Sequence, residues 1–151
     1  MSPPAGDEPA STGPPDRQTL RLLERLLADE PVVATTEFEP DSYEPQLLRV
    51  LGDAGRYPPG IEAARLDIRW FESGDFSIHY IETSATDDPD WECRWDRHPN
   101  PHHARLHFHQ PPDGTSIEDL SLPSLHPLDV ISTVLAAIEQ RITEQWSADD
   151  S

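Results

Sequence analysis

The sequence predicts an α+β fold, an antiparallel meander of at least four strands with a long C-terminal helix packed on one face and a short N-terminal helix. Three observations carry that expectation. Arg65 to Phe71 and Phe76 to Thr83 alternate polar and apolar residues around the turn Glu72-Ser73-Gly74-Asp75, the pattern of a β-hairpin. Trp91 to Asp96 and Arg105 to Gln110 alternate in the same way on either side of a Pro-containing connection. Near the C-terminus Leu128, Ile131, Leu135, Ile138 and Ile142, with Val134 beside them, recur at helical spacing.

The elements follow in order along the chain. Residues 1–16 hold five prolines and no large apolar side chain after Met1. Such a stretch buries too little apolar surface to offset the entropy of ordering it, so a disordered tail is expected there. It has no apolar h-region and does not read as a signal peptide. A first helix is expected from Asp16 to Asp29, with Asp16 as N-cap, Leu20, Leu23 and Leu27 on one face and Pro31 as the stop. Val32 to Phe38 is β-branched and reads as a strand, whereas Gln46 to Leu51 is apolar but too short for periodicity to separate strand from helix. Pro58 and Pro59 interrupt the chain before the hairpin. Residues 97–104, with Pro99, Asn100 and Pro101, form a loop. The last helix runs from about Pro127 to Trp146, Pro127 and Asp129 suiting its first turn. The expected organisation is therefore one α+β domain over residues 17–146, followed by a short acidic tail, 147–151, that is disordered.

Composition excludes several classes of function. The formal net charge is −18, and all eleven basic residues are Arg. A field this negative is self-repulsive in dilute buffer but screened in molar salt, where the Debye length is about 3 Å, so a halophilic setting is expected. No stretch approaches the ~20 apolar residues of a membrane helix, and the single cysteine, Cys93, excludes an internal disulfide. A cytoplasmic location and no membrane partner are the expectation. There is no P-loop, no G-x-G-x-x-G, no G-x-S-x-G and no H-E-x-x-H, and no cofactor is implied.

Against the acidic background, local positive charge is informative. Residues 94–109 contain three Arg, one Asp and five of the seven His. Strand alternation puts Leu66, Ile68 and Trp70, with Phe76, Ile78, Tyr80, Cys93, Trp95 and Phe108, on the face that meets the helix. The opposite face then gathers Arg65, Arg69, Arg94, Arg105, His79, His107 and His109, with Asp96 among them. Arg binds phosphate oxygens bidentately and His moves protons near neutral pH, so this face is the candidate site, with Arg65, Arg69, Arg94 and Arg105 for phosphate. Arg–carboxylate pairing across a solvated face would give the same pattern without a site. His107 and His109 also have the H-x-H spacing of a metal pair, with His102 or His103 as a third ligand, although nothing in the spacing fixes that third ligand. His98, His102 and His103 fall in the loop, and His126 reads as a capping or surface residue.

The run Trp91-Glu92-Cys93-Arg94-Trp95-Asp96, followed by Pro101-His102-His103 and then His107-Phe108-His109, resembles the TumE-like family, the toxin components of type II toxin–antitoxin pairs. The resemblance covers roughly residues 61 to 146. It implies that Arg94, Asp96, His102, His103, His107 and His109 are the motif positions, and that a small antitoxin is a partner. The chain departs from the family pattern in having no Lys in the second His cluster and in placing Arg97 where the family often has Asn. Joined to the basic face, the resemblance suggests a toxin acting as a metal-independent ribonuclease on RNA, with His107, His109 and Asp96 as catalytic residues. The alternatives are a non-catalytic module binding RNA, a nucleotide or an acidic partner segment, and an H-x-H metal-binding protein.

Overall fold

The computed structural model describes residues 13–99 and 105–149. In it the chain runs α1 (Arg17–Leu27), β1 (Val33–Glu39), β2 (Leu47–Gly52), a 3-10 turn (Ala54–Arg56), β3 (Ile61–Trp70), β4 (Phe76–Ser84), β5 (Trp91–Arg97), β6 (Leu106–His109), β7 (Ile117–Asp119) and α2 (Pro127–Asp149). All seven strands form one antiparallel sheet in the order β1-β2-β3-β4-β5-β6-β7. The expected meander is therefore present and larger than the four strands that alternation revealed. The segment Gln46 to Leu51 resolves as a strand because β1 and β3 flank it and supply its hydrogen bonds. The three residues of β7 are all exposed and too few to show any alternation.

The Asp16 side chain accepts from Thr19 N at 3.0 Å and from the Thr19 hydroxyl, an N-cap worth about 1 kcal/mol. Leu20, Leu23 and Leu27 are fully buried, spaced so that one face of α1 lies against the sheet. At the other end, the His126 Nδ1 accepts from Leu128 N and so starts α2, the capping role its position suggested. Val130, Ile131, Val134, Leu135 and Ile138 are the buried stripe of α2. Both helices join one core with Leu48, Val50, Leu66, Ile68, Trp70, Phe76, Ile78, Tyr80, Cys93 and Trp95. Each large aliphatic side chain fully buried there contributes about 1.5–3 kcal/mol relative to exposure. The β3–β4 turn needs Gly74, whose φ of 89° lies in the left-handed region that a Cβ disfavours.

Two boundaries differ from expectation. The first lies at the N-terminus. Of the tail expected over 1–16, residues 1–12 lie outside the described residues, but Pro14 to Asp16 are paired with the chain. Glu72 N donates to Pro14 O and Asp16 N donates to Trp70 O, so the stretch runs along the end of β3. The backbone partners and the cap at Asp16 supply what the composition lacked. The second lies at the C-terminus. There α2 continues to Asp149, so residues 147–149 of the expected acidic tail are helical.

The core also holds an ion pair that the alternation did not single out. Glu82 follows Tyr80 on the helix-facing side of β4 and is 2% exposed. Arg141 of α2 grips it, with Nη2 2.8 Å from Oε1 and Nε 3.2 Å from Oε2, while the guanidinium lies 3.7 Å from the centre of the Trp91 ring. The Tyr80 hydroxyl donates to Glu82 Oε2 at 2.7 Å and lies 2.7 Å from the Tyr57 hydroxyl. Burial pushes the Tyr57 hydroxyl up to about 12 and moves Tyr80 in the same direction. Burial likewise pushes the Cys93 thiol up to about 12, which keeps it protonated and unreactive in the core. Among the described residues no helix is long and apolar enough to cross a membrane.

Candidate functional site

Strand register turns the sheet face away from the helices into two neighbouring cross-strand rows. One row runs Arg49, Asp67, His79, Arg94, His109 from β2 to β6. The next runs Arg69, Ser77, Asp96, His107, Asp119 from β3 to β7. Alternation dictates which residues share this face. Only the register makes Asp96 and His107 direct neighbours and sets Arg94 opposite His109.

Asp96 is the centre. It is fully buried, and its Oδ2 lies 2.8 Å from Arg94 Nε, 3.0 Å from His109 Nε2, 3.7 Å from His98 Nε2 and 3.9 Å from His107 Nε2. Arg94 Nη2 also stands 3.1 Å from His109 Nε2. The rings pack on each other, His98 edge-on to His107 with centroids 4.7 Å apart and His107 to His109 at 5.2 Å. Backbone carbonyls orient two of the imidazoles, His98 Nδ1 lying 3.0 Å from Pro99 O and His109 Nδ1 3.2 Å from Gly114 O. Both rings therefore turn Nε2 inward. His107 is 1% exposed, whereas the side chains of His98 and His109 keep 16% and 11% of their surface at the rim. One ligand-capable atom from each of Asp96, His98 and His107 lies within 4.8 Å of the others.

The electrostatics follow from this packing. Burial acts to raise the Asp96 carboxyl, but the hydrogen bonds from His109 and His98 and the Arg94 guanidinium hold it well below the ordinary carboxylate range. The Asp96 carboxylate in turn raises His98 above the usual imidazole value, against its partial burial. A depressed carboxyl stabilises the fold above the unfolded value of about 3.9, and that contribution is lost as pH falls through the folded value. The raised His98 acts in the opposite sense, its contribution being present below about 6.5 and lost as pH rises through the folded value. Urea midpoints followed into acid below about pH 4 are thus expected to fall more steeply for the native protein than for Asp96→Asn. Parallel curves would show that the carboxylate does not stabilise the fold.

The expected site residues divide. Arg94, Asp96, His107 and His109 come together as one cluster. Arg69 stands in the Asp96 row two strands away, about 10 Å off by strand spacing, and makes no ion pair among the described residues. Arg65 lies farther along the face and shares Asp67 with Arg49. Arg105 does not join the cluster. It precedes β6, and its guanidinium forks onto the fully buried Asp75 with Nε 2.9 Å from Oδ1 and Nη2 2.7 Å from Oδ2, beside Arg97 at 2.7 Å. His79 pairs with Glu92 at 3.0 Å. His102 and His103 lie outside the described residues. His98 was the residue missed, because a loop position gives no face by alternation; its adjacency to β5, two residues past Asp96, was the available signal.

The family described as Toxin TumE matches the chain over residues 23–142. Neither the curated proteins nor the solved structures give a match. The matched span runs from within α1 into α2 and takes in every strand, the Asp96 cluster included. The match covers more than half of the chain, and the chain belongs to the TumE toxin family.

Proposed function

We propose that this toxin cleaves the phosphodiester backbone of RNA at the Asp96 cluster without a metal cofactor, and that a small antitoxin partner restrains it. The observation that supports the reading is the convergence of three imidazoles and an Arg on one buried carboxylate, in a chain whose net charge is −18. Such cleavage needs a base for the 2′-hydroxyl, an acid for the 5′-oxygen and cations for the charge on the pentavalent phosphorus. His109 and His98 reach the rim and take those two roles. With its ring neutral and Nε2 held by Arg94 Nη2 in place of Asp96, His109 takes the 2′-hydroxyl proton at Nε2 as the 2′-oxygen bonds to phosphorus, and the 5′-oxygen leaves with a proton from His98. The products are a 2′,3′-cyclic phosphate and a 5′-hydroxyl.

His107, too buried to meet substrate, holds the two working rings apart, and Asp96 positions them. Arg94 and Arg69 bind phosphate, with Arg65 farther along the strand path, while Arg105 supports the β3–β4 turn through Asp75. His102 and His103 are further candidates as motif positions of the family resemblance. The acidic surface suits molar salt, where phosphate attraction is screened and binding rests on direct Arg and stacking contacts. An RNA substrate places the action in the cytoplasm.

The test is RNA cleavage by tag-free protein in molar KCl with a chelator present. Cyclic-phosphate ends are expected, with His98→Gln or His109→Gln each slowing the reaction by about 10²–10⁴-fold and relieving growth arrest on expression. Growth arrest with no RNA ends produced, or arrest that survives both substitutions, would refute the ribonuclease reading.

A further inference from the structure

Hydrogen-bond polarity inside the Asp96 cluster does not close with protons alone. Gly114 O can only accept, so His109 Nδ1, 3.2 Å away, carries a hydrogen. Its Nε2 then faces both the Arg94 guanidinium at 3.1 Å, which can only donate, and the Asp96 carboxylate at 3.0 Å, which can only accept. A neutral ring suits Arg94 and sets a lone pair against the carboxylate. A protonated ring suits Asp96 and sets N–H against N–H. His98 turns Nδ1 to Pro99 O and Nε2 toward the same carboxylate oxygen at 3.7 Å. Asp96 Oδ1 is buried and has no hydrogen-bond partner among the described residues.

We propose that Asp96, His98 and His107 bind one divalent first-row metal ion, zinc by donor type, and that the ion switches off RNA cleavage by occupying the imidazole nitrogens. A cation between Asp96, His98 and His107 takes up the carboxylate charge that the protons leave without a partner at Oδ1. Imidazole nitrogens with one carboxylate oxygen are a donor set for zinc at about 2.0–2.2 Å. Donors at that radius around a tetrahedral ion stand about 3.4 Å apart; Asp96 Oδ2 lies 3.7 Å from His98 Nε2 and 3.9 Å from His107 Nε2, and one ligand-capable atom from each of the three residues lies within 4.8 Å of the others. The carbonyl of Pro99 already holds the outer ring nitrogen of His98, the arrangement that fixes metal-ligating histidines. The site differs from the H-x-H pair that the sequence suggested, because it needs Asp96 and His98. Arg94 opposes the ion and keeps its Nε bond to Asp96, and His109 stays outside the donor set beside Arg94.

The switch rests on the proposed RNA-cleaving role; the ion site does not. Tag-free, chelator-treated protein in molar KCl is titrated with zinc chloride by calorimetry. One equivalent is expected to bind, with His98→Ala weakening it by at least about tenfold and His79→Gln, outside the cluster, leaving it unchanged. His98 sits at the rim, so His98→Ala keeps the fold, which circular dichroism checks. RNA cleavage is expected to stop at one equivalent of zinc and return with chelator. No stoichiometric binding, or binding indifferent to His98→Ala, overturns the ion site and leaves the acid–base reading standing. Binding with cleavage unchanged or faster keeps the ion site and overturns the switch. Binding by a protein that cleaves no RNA keeps the ion site and refutes the ribonuclease.

Discussion

Replacing Arg141 with methionine is expected to lower the unfolding free energy by about 3–5 kcal/mol, the cost of leaving a buried charge without its partner. Glu82 is 2% exposed and receives two guanidinium nitrogens, so the variant strands a carboxylate between the sheet and α2. The Tyr80 hydroxyl remains as its donor but brings no charge. The stacking of Arg141 on Trp91 is lost as well. For a domain of this size each kcal/mol moves the midpoint by roughly 2–4 °C, so thermal unfolding reads the effect easily. The double variant Glu82→Leu with Arg141→Met removes both charges and is expected to recover most of the loss, since apolar replacement of a whole buried pair is often neutral. A loss below about 1 kcal/mol in the single variant, the range of exposed pairs, would show that solvent reaches Glu82.

The second large effect is expected on the proposed reaction. Asp96→Asn keeps the shape of the side chain but removes the charge that orders His98, His109 and Arg94. Cleavage of RNA is expected to fall by about 10²–10⁴-fold, mainly in kcat. Because the Asp96 carboxylate is what raises His98, the alkaline limb of the pH–rate profile should move to lower pH in the variant. That displacement separates positioning of the acid from simple damage to the fold, which would lower the rate at every pH alike. An unmoved alkaline limb would mean that His98 is not the acid Asp96 controls.

The hairpin Arg65 to Thr83, the strands at Trp91 and Leu106, and the helix from Pro127 were legible because each repeats its period several times. The strand at Ile117 was not, since three exposed residues carry no period. Glu82 lay within reach: extending Phe76, Ile78 and Tyr80 by one step places it on the helix face, where a carboxylate needs a cation. Its partner lies 59 residues away in α2, and no local pattern pairs the two.

The sequence by itself determined the architecture and the composition of the polar face, because alternation with period two is a local property of each strand. It assigned Arg94, Asp96, His107 and His109 to one side and Cys93 to the other. Only the tertiary structure decided which of those groups touch. Register set Asp96 beside His107 and Arg94 opposite His109. It also carried Arg105 off to Asp75, and the chain's path beyond β5 brought His98 back onto the carboxylate. The basic patch read from the sequence is therefore, at its centre, a buried carboxylate ringed by imidazoles. Its chemistry depends on distances of a few ångströms between residues up to 15 positions apart, which the order of residues along a strand does not encode.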